Sequence, residues 1–569
     1  MTDIILSLED SRRLTGPNLF GDISGAIIDV RIKNIDAVVV TQAWEKHAKQ
    51  LFERIYWHKQ KRLHRFYQDG ASLVITAPID CLYAATEINE AAWQLTCNEM
   101  LQIHSEDFYT ELIELIQRLK ALIEDEKNPK LIAIQQQAKN HNVVFLSDDD
   151  YVSIGYGATC QIYPVDDLPD IEQINWQAVK DIPVALITGT NGKSTTVRLA
   201  SSVAEAANKI CGITTTDYIR VGKEILDSGD FSGPGGARTL LRHPKTEIAF
   251  LEVARGGLLR RGIGINQAST VLITNVEEDH LGQYGINSLS DMVETKFIVR
   301  QAINKQQNLI LNADDAGCVS FAKTLDNTIL WFSWYVDNPV IQQHLKNNGS
   351  ACYVEDETIY YQSAGNKQEV IHINDVPITL NGAAKHNIHN VLAVVALSFS
   401  MGFNKTDIAT GLNQFSNSAE ENPGRGNLFK RDGYKVIVDF AHNSHGLRLM
   451  SQTIKNIQAK RRLIMLGQPG DRSNEDIECF VKAAMLAEPD QLIICESEYY
   501  LRGRKLGEVP DLIHKFALQQ GMQTEQLSIV KDSIKGTELA LEWAEQEDLL
   551  LLLVFDNRNE VFDLLKETQ

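Results

Sequence analysis

The residues best suited to chemistry form a glycine-rich turn between an apolar run and a helical pattern. Residues 187–196 have the sequence Ile-Thr-Gly-Thr-Asn-Gly-Lys-Ser-Thr-Thr, which predicts a strand, a tight turn and a helix that begins near Ser194. Backbone N–H groups of such a turn, together with the positive end of the helix, bind phosphate. Lys193 can reach the β- and γ-phosphates of a nucleotide, and the Ser194 hydroxyl suits Mg²⁺. The strict motif has glycine where this chain has Ile187, and a glycine-rich helix cap without a ligand is the alternative.

Polar side chains also follow two other apolar runs, at the points where buried strands are expected to end. Glu252 closes the run Phe-Leu-Glu at 250–252, and His280 lies in the polar segment after Ile273. The carboxyl ends of parallel strands are where open α/β sheets place ligands, and a buried carboxylate is costly unless it is paired or bound to a cation. We therefore expect Ser194, Glu252 and His280 to hold Mg²⁺, with a structural histidine as the alternative for His280.

The apolar runs that must position these groups fall into two sets. The first set lies at 184–188, 248–253, 271–276 and 309–311, and the second lies at 436–440, 462–466, 491–495 and 549–555. Strands that alternate with helical patterns indicate mostly parallel sheets with helices on both faces. The predicted fold class is α/β, with a central domain at 176–421 and a C-terminal Rossmann-like α/β domain at 422–569. Residues 1–175 predict an α/β or helical module, and the polar stretch 163–170 predicts a linker.

Composition excludes several classes of protein. The chain has 569 residues, 44% of them hydrophobic, and its 55 Lys and Arg against 75 Asp and Glu leave a net charge of −20, which argues against a nucleic-acid partner. Eight scattered cysteines without a Cys-x-x-Cys pair indicate reduced thiols. The acidic N-terminus lacks the pattern of a signal peptide, and the longest apolar run, 549–555, is too short to span a bilayer. We expect a cytoplasmic protein without a membrane partner.

Ordered motifs over roughly residues 180–569 resemble the Mur ligase family, the ATP-dependent amide ligases of peptidoglycan and related pathways. They comprise the glycine-rich turn, Glu252, and the segments 274–280, 312–315, 385–390, 424–426 and 438–443. The resemblance implies a central P-loop-type parallel-sheet Mur ligase domain followed by the C-terminal Rossmann-like domain. It also implies that ATP phosphorylates a substrate carboxylate, that an amine attacks the acyl-phosphate, and that ADP and phosphate are released.

A narrower resemblance is to the Mur-ligase half of the cyanophycin synthetases. It is carried by the runs at 232–234, 254–260, 469–472 and 501–508. Those enzymes also have an ATP-grasp domain, which needs on the order of 100 residues. The segment from Gly157 to Val184 is too short for one. We therefore expect a stand-alone relative that joins an amino acid or amine to a carboxylate, rather than a complete cyanophycin synthetase.

The family resemblance implies the nucleotide contacts and two Mg²⁺ sites. The implied contacts with ATP are Gly189, Thr190, Asn191, Gly192, Lys193, Ser194, Thr195, Asn275, Asn312, Asn387, Arg425 and Asp439. Ser194 and Glu252 would hold one Mg²⁺, and His280 and Lys296 the other. Lys296 matches the family's carbamylated lysine, whose anionic oxygen replaces an ammonium that would repel Mg²⁺; a surface lysine is the alternative. The expected catalytic residues are Lys193, Glu252, His280 and Lys296.

The substrate residues are expected to be charged groups outside the turn. They are Arg255, His442, Arg472, Arg502 and Glu498. Arginine forks clamp carboxylates with two parallel hydrogen bonds, and a glutamate suits a basic side chain, so an amino acid or peptide is the expected ligand. A solvent-facing mixture of charges explains these residues as well. The resemblance further implies a homodimer or homotetramer.

The main functional hypothesis is therefore an ATP-dependent acid–amino-acid ligase. One alternative is a catalytically silent nucleotide-binding scaffold of the same fold, which need not retain both presumed metal sites. A second alternative is a glutamate-adding ligase of the folylpolyglutamate type, which shares the nucleotide motifs. The runs at 254–260 and 501–508 disfavour a pterin substrate.

Overall fold

The computed structural model describes residues 4–103, 107–278, 281–431 and 433–566, and the chain divides into two compact units. The first unit comprises Met1–Phe332 and Ala396–Phe403, and the second comprises Ser333–Val395 and Asn404–Gln569. The domain boundaries expected at residues 175 and 421 rest on changes in the pattern of apolar and polar residues, and they stay predictions. Within the described ranges, no helix is both long enough and apolar enough to cross a bilayer.

An antiparallel sheet with helices opens the first unit, so the N-terminal module is α/β. Its elements are β1 (Ile5–Leu14), β2 (Gly25–Lys33), α1 (Ala37–Arg54), β3 (Arg62–Tyr67), β4 (Gly70–Thr76), α2 (Leu82–Met100) and α3 (Phe108–Glu126). The strands run in the order β1-β2-β4-β3. One core joins buried side chains of β2 and β4 to those of α1 and α2.

The segment after this sheet is packed, and the predicted linker at 163–170 is wrong. The segment forms a small antiparallel sheet with one helix, and its elements are α4 (Pro129–Asn140), β5 (Phe145–Ser147), β6 (Tyr151–Ile154) and β7 (Gln161–Pro164). The predicted linker begins at the end of β7. Leu168 and Ile174 are 6% and 4% exposed and pack into the same core as Ile134 on α4. Leu168 and Ile174 are isolated apolar residues in a polar stretch, so the sequence shows no hydrophobic periodicity there. Their burial nevertheless packs this part of the chain against the small core.

The central part of the first unit is a sheet whose inner strands are parallel. Its elements are β8 (Val184–Thr188), α5 (Lys193–Ala206), β9 (Cys211–Thr214), β10 (Tyr218–Val221), β11 (Glu224–Ser228), α6 (Pro234–Leu241), β12 (Ile248–Glu252), α7 (Arg255–Arg261), β13 (Thr270–Ile273), α8 (Leu289–Phe297), β14 (Asn308–Asn312), α9 (Ala316–Ala322) and β15 (Thr328–Ser333). The order is β11-β10-β9-β12-β8-β13-β14-β15. Strands β9, β12, β8, β13, β14 and β15 are parallel, so their carboxyl ends meet at one edge, as predicted.

The second unit contains three consecutive antiparallel strands and a six-stranded, mostly parallel sheet. Its elements are α10 (Pro339–Lys346), β16 (Ser350–Glu355), β17 (Thr358–Ser363), β18 (Asn366–His372), α11 (Lys385–Ser400), α12 (Lys405–Gln414), β19 (Arg425–Arg431), β20 (Tyr434–Asp439), α13 (Ser444–Asn456), β21 (Arg462–Leu466), α14 (Asn474–Met485), β22 (Gln491–Cys495), α15 (Glu508–Gln519), β23 (Leu527–Val530), α16 (Ser533–Trp543), β24 (Leu549–Leu553) and α17 (Arg558–Lys566). The residues of α11 from Ala396 onward belong to the first unit. The larger sheet has the order β19-β20-β24-β21-β22-β23, and only β19 is antiparallel within it. Apolar cores lie on both of its faces, which confirms the predicted α/β class.

Candidate active site

The glycine-rich turn lies at the carboxyl end of β8, and its shape requires its glycines. Gly189 has φ +151°, and a Cβ at this position would lie 1.9 Å from the Thr274 Oγ1 atom. Gly192 has φ +84° and immediately precedes α5. Because L side chains disfavour both backbone conformations, glycine lets the turn pass close to β13 and enter the helix. The N–H groups that begin α5 therefore follow directly from this turn.

The residues that follow β13 support the glycine-rich turn through hydrogen bonds. The Asn275 carbonyl accepts from the Thr190 N–H at 2.9 Å, and the Asn275 side chain bonds both the N–H and the carbonyl of Asn191, each at 3.0 Å. Asn312 on β14 donates to the Thr274 carbonyl at 3.0 Å. The structure thus places Asn275 and Asn312 as supports of the turn, and their predicted contacts with ATP stay predictions.

Glu252 and Ser194, the two predicted ligands of one cation, meet below the turn, and their binding of a cation stays a prediction. Ser194 Oγ donates to Glu252 Oε2 at 2.7 Å, and the two residues are 5% and 2% exposed. Thr216 also reaches this point, because its N–H donates to Glu252 Oε2 at 3.3 Å and its hydroxyl lies 3.3 Å from the Ser194 hydroxyl. The other carboxylate oxygen, Glu252 Oε1, is buried and has no hydrogen-bond partner among the residues that the structure describes.

This arrangement fits a hard divalent cation. A buried carboxylate with an unpartnered oxygen is unfavourable unless a cation balances it, and Mg²⁺ binds through one or two carboxylates together with hydroxyl, water and phosphate oxygens. No group of three His, Cys, Asp or Glu side chains suited to a metal occurs in the described ranges. A cation here would therefore depend on Ser194, Glu252 and ligand oxygens.

Two lysines direct their ammonium groups to the turn. Lys193 Nζ donates to the Thr190 carbonyl at 3.0 Å, and Lys296 Nζ donates to the Gly189 carbonyl at 2.9 Å. Lys296 is 3% exposed, so the alternative of a surface lysine on α8 is wrong. Carbamylation of Lys296 stays a prediction, and the predicted ligand His280 lies outside the described residues.

Thr216 is the contact that the sequence analysis missed. It follows β9, the strand beside β12 in the sheet, and the same argument that selected Glu252 at a strand end applies to the Thr-Thr-Thr run at 214–216.

Arg255, predicted to bind substrate, begins α7 and donates to the Gln283 side chain at 2.7 Å. Its predicted role stays untested.

In the second unit, Arg425 and Asp439 lie opposite one another on β19 and β20. The Arg425 guanidinium lies 4.9 Å from the ring centroid of Phe440, and Asp439 Oδ1 accepts from the Ala441 N–H at 2.7 Å. Burial raises the pKa of Asp439 to about 6, although Arg425 and backbone N–H groups favour the ionised form. The structure thus brings these two predicted nucleotide residues together.

Two predicted substrate residues of the second unit, Arg472 and Arg502, lie in two loops that arginine side chains connect. Arg502 Nη1 donates to Asp471 at 2.7 Å. Arg504 donates to the carbonyls of Gly470 and Arg472 at 3.0 and 2.8 Å, so it joins two loops rather than facing a ligand. Arg502 is 46% exposed along its side chain, which leaves it accessible to a substrate.

Three further predicted site residues of the second unit are Glu498, His442 and Asn387. Glu498 is exposed, and His442 Nδ1 lies 3.1 Å from the Phe440 carbonyl. Asn387 is 4% exposed, and its amide donates to the Ile378 carbonyl at 3.0 Å. The Asn387 amide therefore has a structural partner, and its predicted contact with ATP stays a prediction.

Comparison with known protein families shows which family the chain belongs to. Residues 187–398 match the Mur ligase middle domain, and residues 424–553 match the family described as Mur ligase, glutamate ligase domain. Together the two matches cover more than half of the chain. The chain belongs to the Mur ligase family. The glycine-rich turn, Glu252 and Lys296 lie in its Mur ligase middle domain, and Arg425 and Asp439 lie in its glutamate ligase domain.

Individual relatives agree with this assignment. Cyanophycin synthetase of Synechocystis sp. is 34% identical over 372 residues, which are 65% of this chain and 42% of that protein. UDP-N-acetylmuramoyl-L-alanyl-D-glutamate–2,6-diaminopimelate ligase of Clostridium botulinum is 24% identical over 454 residues, which are 74% of this chain and 87% of that protein. The chain thus spans less than half the length of the cyanophycin synthetase that it matches.

A solved structure shows the same fold. E. coli FolC in complex with ADP, without folate substrate, is similar with a TM-score of 0.50 at 16% identity, over 68% of this chain and 89% of that chain. At this identity the likeness concerns the fold. It supports the α/β architecture of the Mur ligase domains described above.

The unpartnered oxygen of Glu252 leads to a prediction about Mg²⁺. Glu252→Gln removes a buried charge while it retains an oxygen that can accept from Ser194, so we expect the ligand-free variant to unfold at a higher temperature than the parent protein. Mg²⁺ should raise the unfolding temperature of the ADP-bound parent protein and leave that of the variant unchanged. Thermal unfolding with ADP, with and without Mg²⁺, measures both effects. Glu224→Gln, an exposed charge change in the same unit, is the control; an equal Mg²⁺ response in Glu252→Gln would contradict the assignment.

The pKa of Asp439 leads to a second prediction. Because its pKa is about 6 when folded against an ordinary 3.8, the folded protein keeps a proton that the unfolded chain releases between those values. The Asp439 contribution to stability therefore falls as pH rises from about 4 to about 6, by about 2–3 kcal/mol, and is constant above that window. Urea unfolding of the parent protein and of Asp439→Asn across this range measures the difference. A free-energy difference between the two proteins that does not change with pH would refute the raised pKa.

Proposed function

We propose that this chain is an ATP- and Mg²⁺-dependent ligase that joins an amine to a carboxylate through an acyl-phosphate, with release of ADP and phosphate. The observation that carries the proposal is the buried Glu252 carboxylate, which lies against Ser194 beside the glycine-rich turn and has one oxygen without a partner in the described part of the chain. Membership of the Mur ligase family and the names of the relatives, which are ligases, support it.

The first task of the site is to hold a triphosphate. The turn offers its backbone N–H groups, and the N-terminus of α5 adds a positive potential. Lys193 donates to a carbonyl of the turn itself, so its ammonium needs only a side-chain rotation to reach a phosphate. ADP in the similar FolC structure supports a nucleotide at this fold.

The residues that would hold Mg²⁺ are Ser194 and Glu252, with Thr216 beside them. Bound there, the ion supplies charge neutralisation to the phosphate oxygens. We assign His280 and Lys296, the latter as a carbamate, to a second Mg²⁺. The burial of Lys296 beside the turn supports this assignment, because it places the side chain near the proposed phosphate site.

The chemistry proposed for the bound substrates has two steps. A carboxylate oxygen of the acceptor attacks the γ-phosphorus, the bond to the β–γ bridging oxygen breaks, and ADP leaves. The amine then attacks the acyl carbon, loses a proton and expels phosphate. Because the phosphoryl group moves between anionic oxygens, positioning and charge neutralisation by Lys193 and the turn are the main contributions of the protein.

Residues of the second unit are assigned to nucleotide and amine. Arg425 and Asp439 suit a phosphate and a ribose hydroxyl respectively, and the exposed Arg502 and Glu498 suit the carboxylate and the basic group of an amino acid. The chain covers only 42% of the related cyanophycin synthetase. The acceptor is therefore proposed as a class, an amino-acid or peptide carboxylate, and the assembly as a homodimer or homotetramer.

A phosphate-release screen of paired amines and carboxylates tests the proposal. We expect amine-dependent formation of phosphate and ADP, with the product identified by mass spectrometry. Lys193→Ala should lower turnover by roughly 10²–10³-fold, because one preorganised cation at the transferred phosphate is lost. Lys245→Ala, which removes a lysine that is 68% exposed, is the control and should retain full turnover. Circular dichroism should show both variants folded.

Other results would overturn the proposal. AMP and pyrophosphate as products would exclude the acyl-phosphate, and a fully active Lys193→Ala would remove that lysine from the mechanism. Tight ATP binding without turnover across the panel would identify a silent scaffold. Turnover only with glutamate and a pterin acceptor would identify a ligase of the folylpolyglutamate type.

A further inference from the structure

An arginine is buried on α5, the helix that follows the glycine-rich turn. Arg198 is 2% exposed, and burial of a guanidinium group is unfavourable unless it is paired and hydrogen-bonded. It lies four residues after Ser194, so the two side chains share one face of the helix. The same face therefore carries a predicted ligand of Mg²⁺ and, one helical turn further on, a buried positive charge.

Two partners of Arg198 lie where the chain turns from β9 into β10. Arg198 Nη2 donates to Asp217 Oδ2 at 2.5 Å, and Arg198 Nε donates to the Tyr218 hydroxyl at 3.1 Å. The side chains of Arg198 and Asp217 are 1% and 13% exposed, so solvent screens this ion pair much less than a surface pair. The ion pair thus joins α5 to the turn between the two strands.

Hydrogen bonds within residues 215–218, which we call the 215–218 turn, define its backbone. The Thr215 N–H donates to the Tyr218 carbonyl at 3.0 Å, and the buried Thr215 hydroxyl accepts from the N–H groups of Asp217 and Tyr218, each at 3.2 Å. Thr216 lies between Thr215, which these bonds hold, and Asp217, which Arg198 holds. The position of Thr216 therefore depends on both neighbours.

Thr216 is the residue that the 215–218 turn directs to the candidate cation site. Its N–H donates to Glu252 Oε2 at 3.3 Å, and its hydroxyl lies 3.3 Å from the Ser194 hydroxyl. Helix α5 and the turn therefore meet at two points, Ser194 with Thr216 and Arg198 with Asp217. Two contacts fix the orientation of the turn against the helix, which a single contact would leave free to rotate.

We propose that Arg198 and Asp217 are positioning residues that hold the Thr216 hydroxyl at the cation site, as a third protein oxygen beside those of Ser194 and Glu252. This rests on the proposed ligase function. A hydroxyl oxygen suits a hard cation such as Mg²⁺. Partners that do not touch a metal commonly orient the groups that do, and their loss lowers metal affinity. The buried ion pair supplies this orientation from one helical turn away.

Arg220 offers a matched comparison for the experiment. It lies on β10, and its Nη2 donates to the side chains of Ser201 and Glu205 on α5, at 2.7 and 3.2 Å. It therefore joins the same helix to the same pair of strands, and these contacts do not involve the 215–218 turn. Its side chain is 24% exposed. Arg220→Gln should disturb the packing of α5 on β10 without displacing Thr216.

Nucleotide binding to the full-length protein tests the proposal without turnover. Calorimetry measures the affinity for a non-hydrolysable ATP analogue with Mg²⁺ and with EDTA, and the ratio of the two affinities isolates the contribution of the metal. Thr216→Val should lower this ratio by about tenfold, whereas Thr216→Ser and Arg220→Gln should retain the parent ratio. The affinity in EDTA should be the same in all variants.

Variants of the ion pair test whether it acts through Thr216. Asp217→Asn should lower the ratio, and so should Arg198→Lys, which keeps the charge and loses the guanidinium fork; the second variant serves if the first does not fold, as circular dichroism will show. The double variant Thr216→Val/Asp217→Asn should lose no more than Thr216→Val alone. Effects that pass through one residue are not additive, whereas independent effects on the fold are.

Other outcomes would overturn the proposal. An unchanged ratio in Thr216→Val would remove Thr216 from the metal site, and an unchanged ratio in the folded ion-pair variants would remove the pair. Additive losses in the double variant, or an equal loss in Arg220→Gln, would identify a purely structural pair. A parent protein whose affinity does not depend on Mg²⁺ would exclude the cation site itself. Phosphate release plays no part in these measurements, so a failed screen for ligase products would leave their result standing.

Discussion

The site depends on one buried carboxylate at the end of β12. Glu252 is 2% exposed, one of its oxygens accepts from Ser194, and the other has no partner within the described ranges. A charge in this environment is unfavourable without a compensating cation, so the fold holds a site that a divalent ion and its phosphate ligands would complete. The adjoining turn exists in its shape because Gly189 can approach Thr274 more closely than any side chain would permit.

The rest of the central sheet keeps these groups in place. Asn275 bonds both backbone groups of Asn191, Asn312 bonds the end of β13, and Asp315 accepts from the Val276 N–H at 2.7 Å. These polar side chains succeed one another along neighbouring strand ends, so each strand supports the next. A phosphate-binding turn is a loop, and its precision here comes from the strands beside it.

Local patterns predicted much of this arrangement, and long-range packing determined the rest. The apolar runs at 184–188, 462–466 and 491–495 coincide with β8, β21 and β22, because continuous apolar stretches with polar ends are a local signal. The stretch 163–170 was expected to be a linker, since nothing local shows that Leu168 packs against α4. The contact of the buried Lys296 with the Gly189 carbonyl joins segments remote in sequence, and no spacing rule predicts such an encounter.

The central claim is that a nucleotide phosphate and a divalent cation meet at the turn and at Glu252. A crystal structure with Mn²⁺ and a non-hydrolysable ATP analogue, with anomalous diffraction to locate the metal, tests it most directly. We expect the phosphates at the N–H groups of residues 189–195 and a manganese peak at direct coordination distance from Glu252 Oε1 and Ser194 Oγ. A nucleotide bound elsewhere, or a manganese ion remote from Glu252, would contradict the account.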